Sequence, residues 1–138
     1  MATKLGKATD REYLEAFQRY CDNFRNATPI NTRESQGERV VRKSKLEKDN
    51  EAWFKYYFPN FCTAVPAAFH KAATRRLFAH AEWFEVRAWS RELAKSARSM
   101  MEVSKLALTG KIHNVLLVSN SHDNATLLLA PFKAFFEA

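Results

Sequence analysis

Glycine is scarce in this chain, with three among 138 residues, and none falls in residues 87–101. A strict phosphate loop of the form G-x-x-x-x-G-K-[ST] is therefore excluded. Cysteine is as rare. Cys21 and Cys62 sit alone in unrelated segments, with no C-x-x-C pair. That excludes a zinc knuckle and a dithiol redox motif. Both read as reduced, partly buried thiols of a cytoplasmic protein. The N-terminus has no apolar h-region, and no apolar run approaches membrane-spanning length. Without a secretory signal, the glycosylation pattern at Asn26 and Asn124 carries no meaning. No histidine or carboxylate stands at metal spacing beside His70. No repeat or low-complexity tract is present.

What is present is a chain that folds. Its hydrophobic fraction is 46%, and its length fits one domain with a real core. Lysine and arginine number 22 against 15 acidic residues, a net charge of +7. Such an excess favours polyanions, and it equally fits a solvated basic surface.

The first half reads as helices. Thr9-x-x-Glu12 is a capping box. Tyr13, Leu14, Phe17, Tyr20, Cys21 and Phe24 then share one face at helical spacing. Residues 26–43 lack apolar periodicity and read as a basic linker or mobile loop. Arg33, Arg39, Arg42, Lys43, Lys45 and Lys48 supply its charge, for DNA contact or for plain solvation. Ser44-x-x-Glu47 reads as a second capping box, opening a helix with Leu46, Trp53, Phe54 and Tyr57 on one side. Pro59 ends it. Pro66 suits the first turn of a third helix. There Phe69, Ala73 and Leu77 face inward and Arg75 and Arg76 face out. His70 reads as a surface or packing residue.

The second half changes period. Residues 83–88 alternate, with Phe84, Val86 and Ala88 opposite Trp83, Glu85 and Arg87, as a β-strand does. A helix follows from about Ala94, carrying Ala97, Met100, Met101, Val103, Leu106 and Leu108. Gly110 suits its C′ position. Residues 112–118 are nearly continuous apolar, as in a strand buried on both faces. These three make a right-handed βαβ unit. The expected class is α/β, with N-terminal helices before a parallel sheet. A last helix spans residues 122–137, and Pro131 should kink or break it. Residues 1–45 form the N-terminal helix and linker, and residues 46–138 the main domain.

Lys95-Ser96 opens the helix of that βαβ unit. A helix N-terminus offers free N–H groups and a positive dipole end to phosphate. A lysine there reaches β- and γ-phosphates, and a serine hydroxyl can sit on Mg²⁺. Trp89 and Ala94 occupy the two glycine positions. Ala94 is small enough for close approach, at a conformational cost if φ is positive. The plain alternative is a βα turn with a solvated Lys95.

The segment Ser90-Arg91-Glu92-Leu93-Ala94-Lys95-Ser96 resembles the deviant Walker A loop of tailed-phage large terminase subunits, the ATPases that package DNA. Residues 115–120 and the helix after them are similar to the next strand and helix of those motors. Upstream, residues 53–58 and the Phe69-His70 segment resemble the aromatic and Phe-His stretches before the loop. The resemblance covers residues 51 to 138. It implies an incomplete P-loop ATPase domain that binds ATP and Mg²⁺. Lys95 would meet the β/γ-phosphates and Ser96 the metal. Arg91 would act near the γ-phosphate. Ser90 belongs to the same loop, and the N–H groups of Ala94, Lys95 and Ser96 would cradle oxygens. Double-stranded DNA, the portal and the small terminase subunit are the implied partners, in the host cytoplasm. No apolar run ends in the Asp-Glu of a Walker B strand, and Asp123 comes too late. The expectation is an N-terminal piece of such a motor, with negligible turnover and a tendency to self-associate.

Two other classes stay open. One is a small basic module that binds nucleic acid through its helices, indifferent to Lys95. The other is a helical interaction protein in which the βαβ unit is scaffold.

Overall fold

The computed structural model describes residues 10–27, 29 and 31–137. Among them every regular element is helical. In order these are α1 (Asp10–Ala27), α2 (Gln36–Lys48), α3 (Asn50–Tyr57), a 3-10 turn (Pro59–Phe61), α4 (Ala68–Ala79), α5 (Lys95–Leu108) and α6 (His122–Glu137). The chain divides into two units. One comprises the described residues of Met1–Asn26 and Leu117–Ala138, the other Ala27–Leu116.

The α/β expectation is thereby overturned. Neither residues 83–88 nor residues 112–118 form a strand among the described residues, so no βαβ unit and no parallel sheet exist there. The reason is pairing. A strand needs a neighbour for its N–H and C=O groups, and no backbone–backbone hydrogen bond joins residues 83–88 to any other described residue. The alternation in the sequence is still visible. Trp83 Nε1 donates to Glu85 Oε2 at 2.9 Å and Arg87 Nε to Glu85 Oε1 at 2.8 Å, which knits one side together. Phe84 and Val86 on the other side stand 88% and 76% exposed. Leu116 and Val118 are exposed too. Period-2 patterning supplied the faces of a strand without supplying a partner.

The basic linker is also a correction. Residues 36–48 are helical, and the capping box sits at Ser35 and Glu38, not at Ser44 and Glu47. Glu38 N donates to Ser35 Oγ at 3.3 Å, and Ser35 N donates to Glu38 Oε2 at 2.9 Å. Arg42 adds a two-pronged grip on Glu34, both prongs at 2.7 Å. α2 buries no residue, so local polar bonds rather than an apolar stripe define it. Asp49 ends α2 and starts α3 by accepting from Glu51 N and Ala52 N. The box expected at Thr9 lies outside the described residues.

Trp53, Phe54 and Phe58 form the aromatic core of the larger unit. Trp53 meets Phe54 edge-on at 5.8 Å and Tyr57 at 4.7 Å. α3 ends at Tyr57 just before Pro59, as the proline rule requires. α5 meets this core with Arg98 over the Phe54 ring at 4.7 Å and Lys105 over the Trp53 ring at 5.8 Å. Met100, Met101 and Ser104 are buried, and the rest of its inward face is charged. Arg98, Glu102 and Lys105 are buried at helical spacing. Lys105 Nζ donates to the Glu47 carbonyl at 3.0 Å and to Asn50 Oδ1 at 2.7 Å, so its ammonium caps the end of α2. Gly110 takes φ +72°, the left-handed geometry expected after α5.

In the smaller unit α1 buries Cys21 and Phe24, and α6 buries Ala134. Phe24 meets Phe135 edge-on at 5.8 Å. α6 runs through Pro131 without ending there. Pro131 offers no N–H to the carbonyl four residues back, at Leu127, which is well exposed and open to water. Tyr13, Leu14 and Tyr20 remain exposed, so the stripe foreseen on the first helix is only partly covered, and Leu127, Leu128 and Phe136 of α6 are exposed as well.

Candidate phosphate-binding loop

The stretch before α5 is a connection with unusual backbone. Glu92 takes φ +67° and Ala94 φ +53°, the non-glycine residues with positive φ among those described. Each such residue costs about 1–2 kcal/mol with a Cβ present. Ala94 lies at one of the two positions where a strict phosphate loop has glycine, so the strain falls where the pattern asks for glycine.

α5 begins at Lys95 with no side-chain cap on its first turn. α2 and α3 have Ser35 and Asp49 for that task. As in the first turn of α4, no side chain accepts from the opening N–H groups of α5. Lys95 folds back over the loop, and its ammonium donates to the carbonyl of Trp89. The loop closes around that contact.

His70 holds the other side. Ala67 N–H donates to its Nδ1 at 3.1 Å, so Nδ1 is an acceptor and the proton sits on Nε2. Nε2 then donates to the carbonyl of Leu93 at 3.0 Å. The ring meets Trp89 edge-on at 5.0 Å, and Phe69 meets Trp89 at 5.1 Å. Arg87 lies over the Trp89 ring at 5.1 Å. One histidine therefore caps the start of α4 and fixes the residue before Ala94.

Beneath the loop is a charged cluster. Arg98 Nη1 donates to Glu51 Oε2 at 2.9 Å, and its Nη2 to Glu51 Oε1. Its Nε and Nη2 also donate to Thr74 Oγ1, at 2.9 and 2.7 Å. Thr74 passes its own hydroxyl hydrogen to Glu102. Arg87 stands 2.7 Å from Glu102 and 2.8 Å from Glu85, and Arg76 is 3.8 Å from Glu85. Arginines 76, 87 and 98 thus balance glutamates 51, 85 and 102. Burial pulls the Arg87 guanidinium down, but its bonds to Glu102 and Glu85 outweigh that and leave it raised. Burial likewise pushes the Glu85 carboxyl up, and the donors Trp83 and Arg87 more than reverse it. The cluster ties α3, α4 and α5 together below the loop.

Of the residues foreseen at the site, Lys95 is half-buried and directed into the loop. Ser90, Arg91 and Ser96 are exposed, and among the described residues their side chains make no hydrogen bond. Arg91 and Ser96 are thus free to turn to a ligand, and nothing draws them together. The contribution of His70 was not foreseen, although the Phe69-His70 pair and Trp89 were its sequence signal. The charged face of α5 was missed as well. Its signal was the Arg98–Glu102 pair at i,i+4, placed between apolar residues.

Among the described residues no group of histidine, cysteine and carboxylate side chains could hold a metal ion by itself. No described helix is long and apolar enough to cross a membrane. Cys62 is half-buried, and burial pushes its thiol up, away from reactive thiolate. No protein-family model, no curated protein and no solved structure matches this chain.

Proposed function

We propose that residues 89–96 bind the phosphates of ATP, and that the chain supplies this loop to a DNA-packaging ATPase of the large-terminase kind. The observation that carries the reading is the open first turn of α5 beside the ammonium of Lys95. Backbone donors and a lysine converge there on a surface loop, which is the chemistry a phosphate requires. The reading rests on the loop and α5 alone, because the strand that leads into such a loop in that family is absent among the described residues.

In this account Lys95 leaves the Trp89 carbonyl for the β/γ-phosphate oxygens, exchanging a neutral acceptor for a charged one. The N–H groups of Lys95 and Ser96 meet the same oxygens. Ser96, exposed on the first turn, gives its hydroxyl to Mg²⁺. Arg91, free on the loop, meets the γ-phosphate. Its effect belongs to charge that develops after binding. The family likeness adds double-stranded DNA, the portal and the small terminase subunit as partners. No apolar run in this sequence ends in an Asp-Glu pair that could hold Mg²⁺ and orient water, so negligible turnover by this chain alone is expected.

The test is comparative. The full chain and its Lys95→Ala variant are titrated with Mg²⁺-ATP at matched salt, following tryptophan emission, because Trp89 lines the loop. Wild type should respond and Lys95→Ala should not. Ser96→Ala should weaken Mg²⁺-ATP more than ATP alone. Equal responses from wild type and Lys95→Ala would leave residues 89–96 as a plain connection.

A further inference from the structure

The opposite end of α5 borders a half-open cavity of about 790 Å³. α5 is 14 residues long, so the cavity lies roughly 20 Å from the Lys95 loop. One molecule the size of a nucleoside monophosphate cannot touch both. α2 turns Arg39, Val40 and Lys43 toward this space, on one helical face, and packs none of them. Facing them are Trp53, Tyr56 and Tyr57 from α3. Their rings form a continuous wall, with Trp53 to Tyr57 at 4.7 Å and Tyr56 to Tyr57 at 4.9 Å.

Local bonds hold the cavity open. Tyr56 donates its hydroxyl to the Pro29 carbonyl at 2.9 Å. Arg42 grips Glu34 and lies over the Tyr56 ring at 5.1 Å. That bond lowers the Glu34 carboxyl and raises the Arg42 guanidinium, so each satisfies the other. The remaining cations are available. The Arg39 guanidinium makes no hydrogen bond or ion pair among the described residues, and Lys43 has only an exposed contact with Glu47 at 3.9 Å; Glu34, which also lines the cavity, is already held by Arg42. A wall of aromatic rings facing two available cations complements a flat base joined to a phosphate. The volume lies in the range that holds one such unit.

We propose that this cavity binds a single nucleotide unit, its base against Tyr57 and its phosphate on Arg39 and Lys43. The unit can be a free nucleotide or one residue of a nucleic-acid strand. The site is independent of the Lys95 loop.

The test uses the full chain and saturation-transfer NMR with AMP and with a five-residue oligothymidylate. AMP lacks the β- and γ-phosphates that the loop would grip, so it reports on the cavity. At least one probe should bind, with its base protons receiving the strongest transfer. Arg39→Glu, at an exposed position that leaves the fold intact, should weaken that binding at least tenfold. Tyr57→Leu should weaken it too, with retained helicity checked by circular dichroism. Lys95→Ala should leave it unchanged. AMP binding with no gain from the oligomer assigns a free nucleotide. A tenfold preference for the oligomer assigns a strand. The proposal is overturned if neither probe binds, if ribose 5-phosphate binds as well as AMP, if Arg39→Glu has no effect, or if Lys95→Ala abolishes binding.

Discussion

His70 Nε2 donates to the carbonyl oxygen of Leu93 across 3.0 Å, joining α4 to the backbone just ahead of Ala94. The same ring accepts from Ala67 N–H at 3.1 Å. Two elements far apart in sequence are thus fixed by one side chain in one tautomer. The two bonds can be separated. Asparagine can place an acceptor where Nδ1 stands, and glutamine can place a donor where Nε2 stands. His70→Gln should therefore keep the loop geometry, and His70→Ala should lose both it and the α4 cap, the latter for about 1 kcal/mol of stability. His70→Asn should keep the cap and release Leu93. Thermal melts read the loss of the cap, and amide shifts of residues 92–96 read the release of Leu93. Identical behaviour of His70→Gln and His70→Asn would remove His70 as the latch.

Ala94 holds φ +53° in this same loop. Ala94→Gly should relieve that strain and stabilise the chain by about 1 kcal/mol, less some gain in unfolded-state entropy. It should leave ATP affinity equal or better, because glycine allows closer backbone approach. Denaturant midpoints check the stability. A clear destabilisation would mean that Ala94 does not occupy the left-handed region in solution.

Arg98 and Glu102 are both almost fully buried, at 4% and 1% exposure. Arg98→Ala leaves the Glu51 carboxylate without its two-pronged partner and strips Thr74 of two donors, while Glu102 keeps Arg87 at 2.7 Å. Breaking a buried pair from one side costs about 3–5 kcal/mol. Arg98→Met, paired with Glu51→Met, should recover much of that loss, since both members of the pair are then removed together and Glu102 keeps Arg87. Urea unfolding of the two variants makes the comparison.

Glu85 supplies a pH dependence. Its folded carboxyl is held below the ordinary value, because the donors Trp83 and Arg87 outweigh burial. The unfolded state then binds the proton more readily. The stabilisation is complete above the unfolded pKa, near 4.5, and is lost as pH falls through the lower folded value. The difference in Tm between wild type and Glu85→Gln should be largest near neutral pH and should shrink in acid. A difference that stays constant with pH would contradict this.

The helices were legible where the signal was local. Gly110 and the proline at 59 mark their ends by backbone rules that need no tertiary context. α2 is not legible in apolar spacing, because its determinants are the polar residues Ser35, Glu38, Glu34 and Arg42. Residues 83–88 and 112–118 were read as strands because alternation specifies faces and says nothing about a neighbour. At the site, Lys95 and Ser96 were found from their position at a helix start. His70 was weighed without its partners, since Leu93 lies 23 residues away. The buried face of α5 was assigned to apolar residues, because a buried charge shows its partners only in three dimensions.

The most direct measurement of the central claim is a backbone amide titration of the full chain. ¹⁵N-labelled wild type is titrated with Mg²⁺-ATP, and the shifts of Lys95, Ser96 and Ala97 are followed. Their N–H groups open α5 without a side-chain cap. Saturable shifts concentrated at these amides and at Trp89, and absent in Lys95→Ala, are the expected result. Shifts spread evenly over basic surface residues, or the same response in Lys95→Ala, would contradict it.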